Sequence, residues 1–170
     1  MKLTEGEGYL LLSPQFTQWL KYVEKLNAKN PTNGTSVVST LTAYYGETGL
    51  YRLIEAGIKN RKTEDLATKL QAEKIQHWVV KAKGPDDVFR VMALDIVHKD
   101  SILSNPGFST WAKYVDAFNA KYPEHPTSMI PTLLNYFSDV ALFKLIEVAE
   151  NVMGTKSIAT KLQEKMSKIG

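Results

Sequence analysis

The sequence contains no cysteine in its 170 residues. That absence excludes a disulfide framework, a thiol nucleophile and any cysteine-held zinc or iron–sulfur centre. It leaves the compartment open, because a cysteine-free chain can work in reducing or oxidising surroundings. Glycine and proline are sparse, at 10 and 7 residues, which excludes collagen-like and low-complexity chains. No apolar run approaches the ~18 residues of a membrane-spanning helix, and Tyr9-Leu10-Leu11-Leu12 is far too short. Residues Met1 to Gly8 lack an apolar stretch with a cleavage site, so the sequence as given shows no signal peptide. Charge of one sign is also scarce: 21 basic against 18 acidic residues leave a net charge of +3. The densest basic cluster, Lys59, Arg61 and Lys62, is followed at once by Glu64 and Asp65, so no nucleic-acid partner and no membrane surface is expected. The remainder, 44% hydrophobic and 23% charged, describes a globular chain able to build a sizeable core.

The chain is one pattern written twice. Trp19-Leu20-Lys21-Tyr22-Val23 returns as Trp111-Ala112-Lys113-Tyr114-Val115, an offset of 92 residues. The same offset carries Asn27-Ala28-Lys29-Asn30-Pro31 onto Asn119-Ala120-Lys121-Tyr122-Pro123, and Leu53-Ile54-Glu55 onto Leu145-Ile146-Glu147. It also carries Ala67-Thr68-Lys69-Leu70-Gln71 onto Ala159-Thr160-Lys161-Leu162-Gln163 without a gap. A fixed period of this kind marks a tandem array, with one repeat near 14–80 and the other near 106–170.

Each repeat reads as about four helices. Ser13-Pro14 and Asn105-Pro106 each offer a capping side chain followed by proline at the first helical position. Phe16, Trp19, Val23 and Leu26, copied as Phe108, Trp111, Val115 and Phe118, recur at helical spacing. A second helix opens near Thr35-Ser36 and near Thr127-Ser128, with Pro131 tolerated in its first turn. Gly46-Glu47-Thr48-Gly49 and Ser138-Asp139 read as turns, and Thr63 and Thr155 read as caps of a last helix. No segment alternates with period two, so the fold class is all-α.

Between the copies, residues 79–105 form a linker that is neither polar nor rich in Ser and Gly. Gly84-Pro85-Asp86-Asp87 reads as a helix start with acids at the positive end of the helix dipole. Val88, Phe89, Met92 and Ile96 follow on one stripe. The stripe needs partners, and Trp78 and Val79 with the first helices of the second repeat are the nearest. Trp78, Val79, Val88, Phe89, Met92 and Leu94 are therefore expected at the inter-unit junction, clamping two bundles into an elongated rigid rod.

Little in the sequence suggests chemistry. His77, His98 and His125 are widely spaced and lack metal-ligand neighbours such as His-Glu-x-x-His. Gly154-Thr155-Lys156-Ser157 lacks the glycines and preceding strand of a phosphate loop, and Asp86-Asp87 is accounted for as a solvated helix start. Asn33-Gly34-Thr35 is a glycosylation triplet that reads equally well as a turn. Trp19, Tyr22, Trp111 and Tyr114 are expected in the core rather than as base-stacking platforms, with either Trp costing roughly 3–5 kcal/mol to truncate. Tyr9 and Leu12 fit the aromatic-x-x-aliphatic peptide read through strand addition by autophagy ubiquitin-like proteins. Against that reading, Leu10 to Leu12 pack like Ile102 and Leu103. No catalytic residue, metal ligand or cofactor is nominated.

These residues carry a resemblance. Phe-x-x-Trp-x-x-Tyr-Val, Asn-Ala-Lys-x-Pro, Leu-x-x-Tyr-[Tyr/Phe] and Ala-Thr-Lys-Leu-Gln resemble the WY domain of oomycete RXLR effectors. The Pro85-Asp86-Asp87-Val88-Phe89 linker with Leu94 resembles the L motif of tandem LWY members. The resemblance implies a WY unit at 10–80 and an LWY unit at 81–170, with the L helix at about 85–104 and the WY bundle at about 106–170. It implies a structural core of Trp19, Tyr22, Tyr45, Leu53 and Leu70, matched by Trp111, Tyr114, Phe137, Leu145 and Leu162. It also implies a virulence protein that is secreted, translocated into the plant cell and active there by binding host proteins. The expected partner is the scaffold subunit of protein phosphatase 2A. The alternatives are an autophagy ubiquitin-like protein or a trafficking component. A monomer is expected rather than an oligomer, and an enzyme with a junction cleft is the reading from another class. The sequence departs from the family in lacking Arg-x-Leu-Arg and in carrying Phe137 where the first repeat has Tyr45. Positions that differ between repeats, Asn30/Tyr122, Asn33/His125, Lys59/Asn151 and Arg61/Met153, are the expected contact points.

Overall fold

The computed structural model describes residues 7–29, 34, 36–150 and 156–166, with the side chains of 7–9, 156–158 and 165–166 outside that description. Every regular element among the described residues is helical. The chain divides into two compact units, Met1–His77 and Trp78–Gly170.

In the first unit a 3-10 turn, Glu7–Leu12, leads into α1 (Pro14–Lys29). Ser13 caps α1 as its sequence context predicts, its Oγ accepting the Phe16 N–H at 3.1 Å. Ser36 does the same for α2 (Val37–Ile58), accepting from Ser39 N–H at 3.1 Å. The turn expected over 46–49 shrinks to one residue. Only Gly46 leaves helical geometry, at φ 73° and ψ 171°, and helix resumes at Glu47. A side chain is barred from that backbone, so one glycine bends the helix without a loop.

α3 (Glu64–Val80) starts differently from expectation. Thr63 does not cap it with its side chain. Its buried hydroxyl donates backward, to the Gly57 carbonyl at 2.8 Å and the Asn60 carbonyl at 3.3 Å. Gly57 lies in the last turn of α2 and Asn60 just beyond it; their carbonyls also accept the Asn60 and Thr63 N–H groups, so the hydroxyl reinforces the turn that ends the helix. Gly57 permits the close approach: a Cβ would stand 2.5 Å from Leu11 Cδ1 and 2.8 Å from Ala67 Cβ. Around this contact the core closes with Leu11, Phe16, Val38, Leu41, Leu50, Leu53, Ile54, Ala67 and Leu70. Lys74 is buried as well, donating to Glu47 at 2.6 Å and to Thr42 Oγ1 at 2.7 Å. Burial of an ammonium is tolerated only with such partners.

In the second unit the linker helix is shorter than predicted. α4 covers Pro85–Val91 alone, followed by 3-10 turns at Leu94–Ile96 and Lys99–Ser101. The break is Ala93, which adopts a left-handed conformation with φ 55°. The reversal sends Leu94 into the core and leaves Ile96 exposed, so the predicted stripe ends at Met92. α5 (Pro106–Lys121) is capped by Asn105, whose Oδ1 accepts Gly107 N–H at 2.8 Å. α6 (Met129–Leu134) holds Pro131 in its first turn, where its missing N–H removes no helical bond. α7 (Asp139–Glu150) and α8 (Lys156–Met166) complete the unit.

The duplicated motifs have local causes. Asn119 of Asn-Ala-Lys holds the α5–α6 loop, donating to Thr127 O at 2.8 Å and accepting Thr127 N–H at 2.7 Å. Lys69 reaches Glu24 at 3.4 Å, and its counterpart Lys161 reaches Asp116 at 2.8 Å. Both pairs are exposed and are worth at most about 1 kcal/mol each.

Candidate functional site

The second unit contains a closed aromatic box built on α5 and covered by residues 78–92. Trp111 is wholly buried, donates its indole N–H to the Pro85 carbonyl at 2.8 Å and meets Phe89 edge-on at 4.8 Å. Tyr114 is also wholly buried; its hydroxyl donates to the Lys83 carbonyl and its ring meets Trp78 edge-on at 6.0 Å. Burial pushes its phenol above the usual tyrosine range. Tyr122 donates to the Val79 carbonyl at 2.9 Å. Tyr136 stacks on Phe89 at 5.1 Å and donates to Asp86 at 3.2 Å, a carboxylate that also accepts from Asn135 at 3.3 Å. Burial and the neighbouring Asp86 charge both raise the Tyr136 phenol. The acids at the start of α4 pair with Arg90, at 3.0 Å for Asp86 and 2.8 Å for Asp87.

This geometry places the residues expected at the junction. Trp78, Val79, Val88, Phe89, Met92 and Leu94 are all buried, and all belong to the second unit. The boundary falls three residues before the expected end of the first unit because Trp78 and Val79 engage Tyr114 and Tyr122.

The expected core is uneven. Leu53, Leu70, Trp111, Tyr114, Phe137 and Leu162 are buried, while Trp19, Tyr45 and Leu145 are half-buried. Tyr22 is not core: it is 65% exposed, where its counterpart Tyr114 is 0% exposed. Its sequence context is the same, but the cover is missing. Residues 78 and 83–89 shield the second copy, and among the described residues no such segment reaches Tyr22. Tyr44 is likewise 81% exposed, where its counterpart Tyr136 is half-buried against Phe89. The sequence reading held this Tyr44/Tyr136 pair only within the Leu-x-x-Tyr-[Tyr/Phe] motif and gave neither residue a role, although its recurrence at the repeat offset was a usable signal.

The remaining candidates are dispersed. Residues 7–12 are wound as a 3-10 turn with Leu11 buried and Leu12 half-buried, whereas strand addition needs an extended peptide. The Tyr9 side chain lies outside the described residues. So do Asn30, Asn33, Thr35, Asn151, Met153, Gly154 and Thr155. Lys59, Arg61 and His125 are exposed. His77 Nδ1 lies 3.3 Å from Ser39 Oγ, and exposed His98 lies 3.5 Å from Asp100. Among the described residues no three His, Asp or Glu side chains gather to hold a metal ion, and no helix is long and apolar enough to cross a membrane.

Two exposed apolar surfaces stand out. On α7, Val140, Phe143 and Val148 face solvent beside a cavity of about 440 Å³ bounded by Lys99, Phe137, Lys144 and Leu145. In the first unit, Leu10, Phe16, Trp19, Leu41, Tyr44 and Tyr45 line an open groove of about 240 Å³. Apolar surface left in contiguous patches marks interaction sites more often than chemistry.

An RxLR effector protein of Phytophthora infestans is 40% identical over 162 residues, 95% of this chain and 31% of that protein. The chain is a relative of the oomycete RxLR effectors. The RxLR effector protein PSR2 of Phytophthora sojae is 34% identical over 167 residues, 98% of this chain and 25% of its own length. The crystal structure of PcRxLR12 superimposes with a TM-score of 0.80 at 32% identity, covering 97% of this chain and 41% of that one. No protein-family model matches. The chain thus spans about a third or less of these two curated effectors.

Proposed function

We propose that this chain is a protein-binding segment of a virulence effector that acts inside the plant cell without catalysis. The observation that carries the reading is similarity over 95% or more of this chain to proteins named RxLR effectors, at up to 40% identity. Two features support it. The polar residues that could do chemistry are dispersed or already engaged in helix caps and ion pairs, whereas large apolar side chains are presented to solvent on α7 and in the first unit. A stable complex needs roughly 1,200–2,000 Å² of buried surface, so a docking face extends well beyond either patch.

The scaffold subunit of protein phosphatase 2A is the first host protein to test, on the strength of the resemblance to tandem LWY effectors. The experiment is affinity purification from plant tissue with mass spectrometry, followed by direct titration of the purified scaffold subunit. Val140→Ser/Phe143→Ser and Trp111→Asp variants serve as surface and folding controls. Saturable binding of the scaffold subunit, weakened by the surface variant, supports the reading. Recovery of a different host protein would replace the target but keep the class. Recovery no greater than from Trp111→Asp would overturn the proposal.

A further inference from the structure

The bend at Gly46 divides α2 into two arms with different tasks. The first arm carries Thr40, Leu41, Tyr44 and Tyr45, which line the open groove, and the second carries Leu50, Leu53 and Ile54 into the core. Glycine permits this bend without imposing it, because the same residue is free to return to helical φ and ψ. A continuous helix would also regain the backbone bonds that the bend interrupts. Something must therefore favour the bent form. Lys74 of α3 touches both arms. Its buried ammonium donates to Thr42 Oγ1 at 2.7 Å, ahead of the bend, and to Glu47 Oε2 at 2.6 Å, the first residue after it. On a straight helix two residues with this i, i+5 spacing lie about 140° apart around the axis. Only i, i+3 and i, i+4 pairs face one another there, so the double grip belongs to the bent form.

We infer that Lys74 is a lock on the bend of α2: its ammonium joins the two arms in the bent conformer and not in the continuous helix, and so fixes the shape of the first-unit groove. A difference in contacts between two conformers is what biases their equilibrium. Hydrogen bonds from an ammonium held out of water are among the stronger ones available for that purpose. The second repeat shows the alternative. At the repeat offset Lys74, Thr42 and Glu47 become Met166, Leu134 and Asp139. There the bend widens into a break over residues 135–138, between α6 ending at Leu134 and α7 starting at Asp139. The unit that has the lysine turns on one glycine, and the unit that lacks it has two separate helices. This lock goes beyond the protein-binding role proposed above and holds whichever partner is bound.

The chain has no cysteine, so a pair can be introduced for spin labelling without background. Thr40→Cys and Ala56→Cys put labels on exposed positions of the two arms. A continuous helix would set their Cα atoms about 24 Å apart. Double electron–electron resonance on the intact 170-residue chain should give one narrow distribution distinct from that of the straight form. Gly46→Ala, which disfavours the bent backbone, marks where the straight form appears. Lys74→Met, the side chain of the second repeat, should add a population there and lower the bent-to-straight ratio about tenfold or more. Its fold should survive, because the Glu47 side chain is 32% exposed and returns to water. Thr42→Val is nearly isosteric, keeps the ion pair and should move the distribution the same way by less. A Lys74→Met distribution matching that of the labelled parent would overturn the lock. So would one that broadens without a straight population, since the lysine would then only be filling space. If circular dichroism shows that Lys74→Met has lost its helices, Thr42→Val decides, and an unmoved distribution there overturns the lock as well.

Discussion

Trp19 and Trp111 occupy equivalent repeat positions, yet their truncation should have unequal effects. Trp111→Ala removes a wholly buried indole, and large aromatic-to-alanine changes in a core cost about 3–5 kcal/mol. Within that figure, the bond to the Pro85 carbonyl at 2.8 Å accounts for about 1 kcal/mol and the edge-on contact with Phe89 for about 0.5–1.5 kcal/mol. Trp19 is half-buried and removes less area from water, so Trp19→Ala should cost roughly half as much, about 1.5–2.5 kcal/mol. Trp111→Phe, which keeps most of the ring volume and loses the donor, should fall near 1–2 kcal/mol. Urea unfolding followed by far-UV circular dichroism measures the totals. Hydrogen exchange read by mass spectrometry assigns the loss to a unit, and amides of α4 should lose protection in Trp111→Ala because the indole holds its first residue. Equal costs for the two alanine variants, or unchanged protection across Pro85–Val91, would refute the argument that residues 83–92 create the second core.

Gly46→Ala should destabilise the first unit by about 1–3 kcal/mol, because φ 73° with ψ 171° is open essentially to glycine; a thermal shift within error of wild type would contradict the single-residue bend. A pH dependence should appear at the alkaline end. Burial raises the phenols of Tyr51 and Tyr114, so the unfolded chain releases these protons near pH 10 while the folded chain retains them. Stability is then intact below pH 10 and falls above it, by up to about 1.4 kcal/mol per pH unit for each phenol, until the folded group ionises. Tyr114→Phe should flatten that decline while lowering stability at neutral pH through loss of the Lys83 bond. An unchanged slope in urea titrations at pH 9, 10 and 11 would count against it.

Much of the fold was legible because its signals are local. The caps Ser13, Ser36, Asn105 and Ser128 sit beside the backbone groups they satisfy, and Pro131 can be placed by counting from its cap. Gly57 and Thr63 were harder, since their roles depend on two helices and a turn meeting at one point. Thr63 has the composition of a cap, and only the neighbouring end of α2 redirects its hydroxyl. Ala93 gave no warning at all: alanine favours helix, and its left-handed backbone reflects the requirement that Leu94 turn inward. At the candidate site the aromatic residues were visible as a set, but their exposure was not.

The sequence by itself determined the duplication, the helical class and the identity of the apolar faces, because period, caps and composition are properties of neighbouring residues. Tertiary structure alone decided which copy of the aromatic box is closed. That outcome depends on a segment 26 residues upstream of Trp111 bringing a carbonyl and a Phe to it, and on no such segment reaching Tyr22 and Tyr44 among the described residues. Two identical side chains are thus core in one unit and surface in the other, since burial is a property of the neighbours a residue acquires.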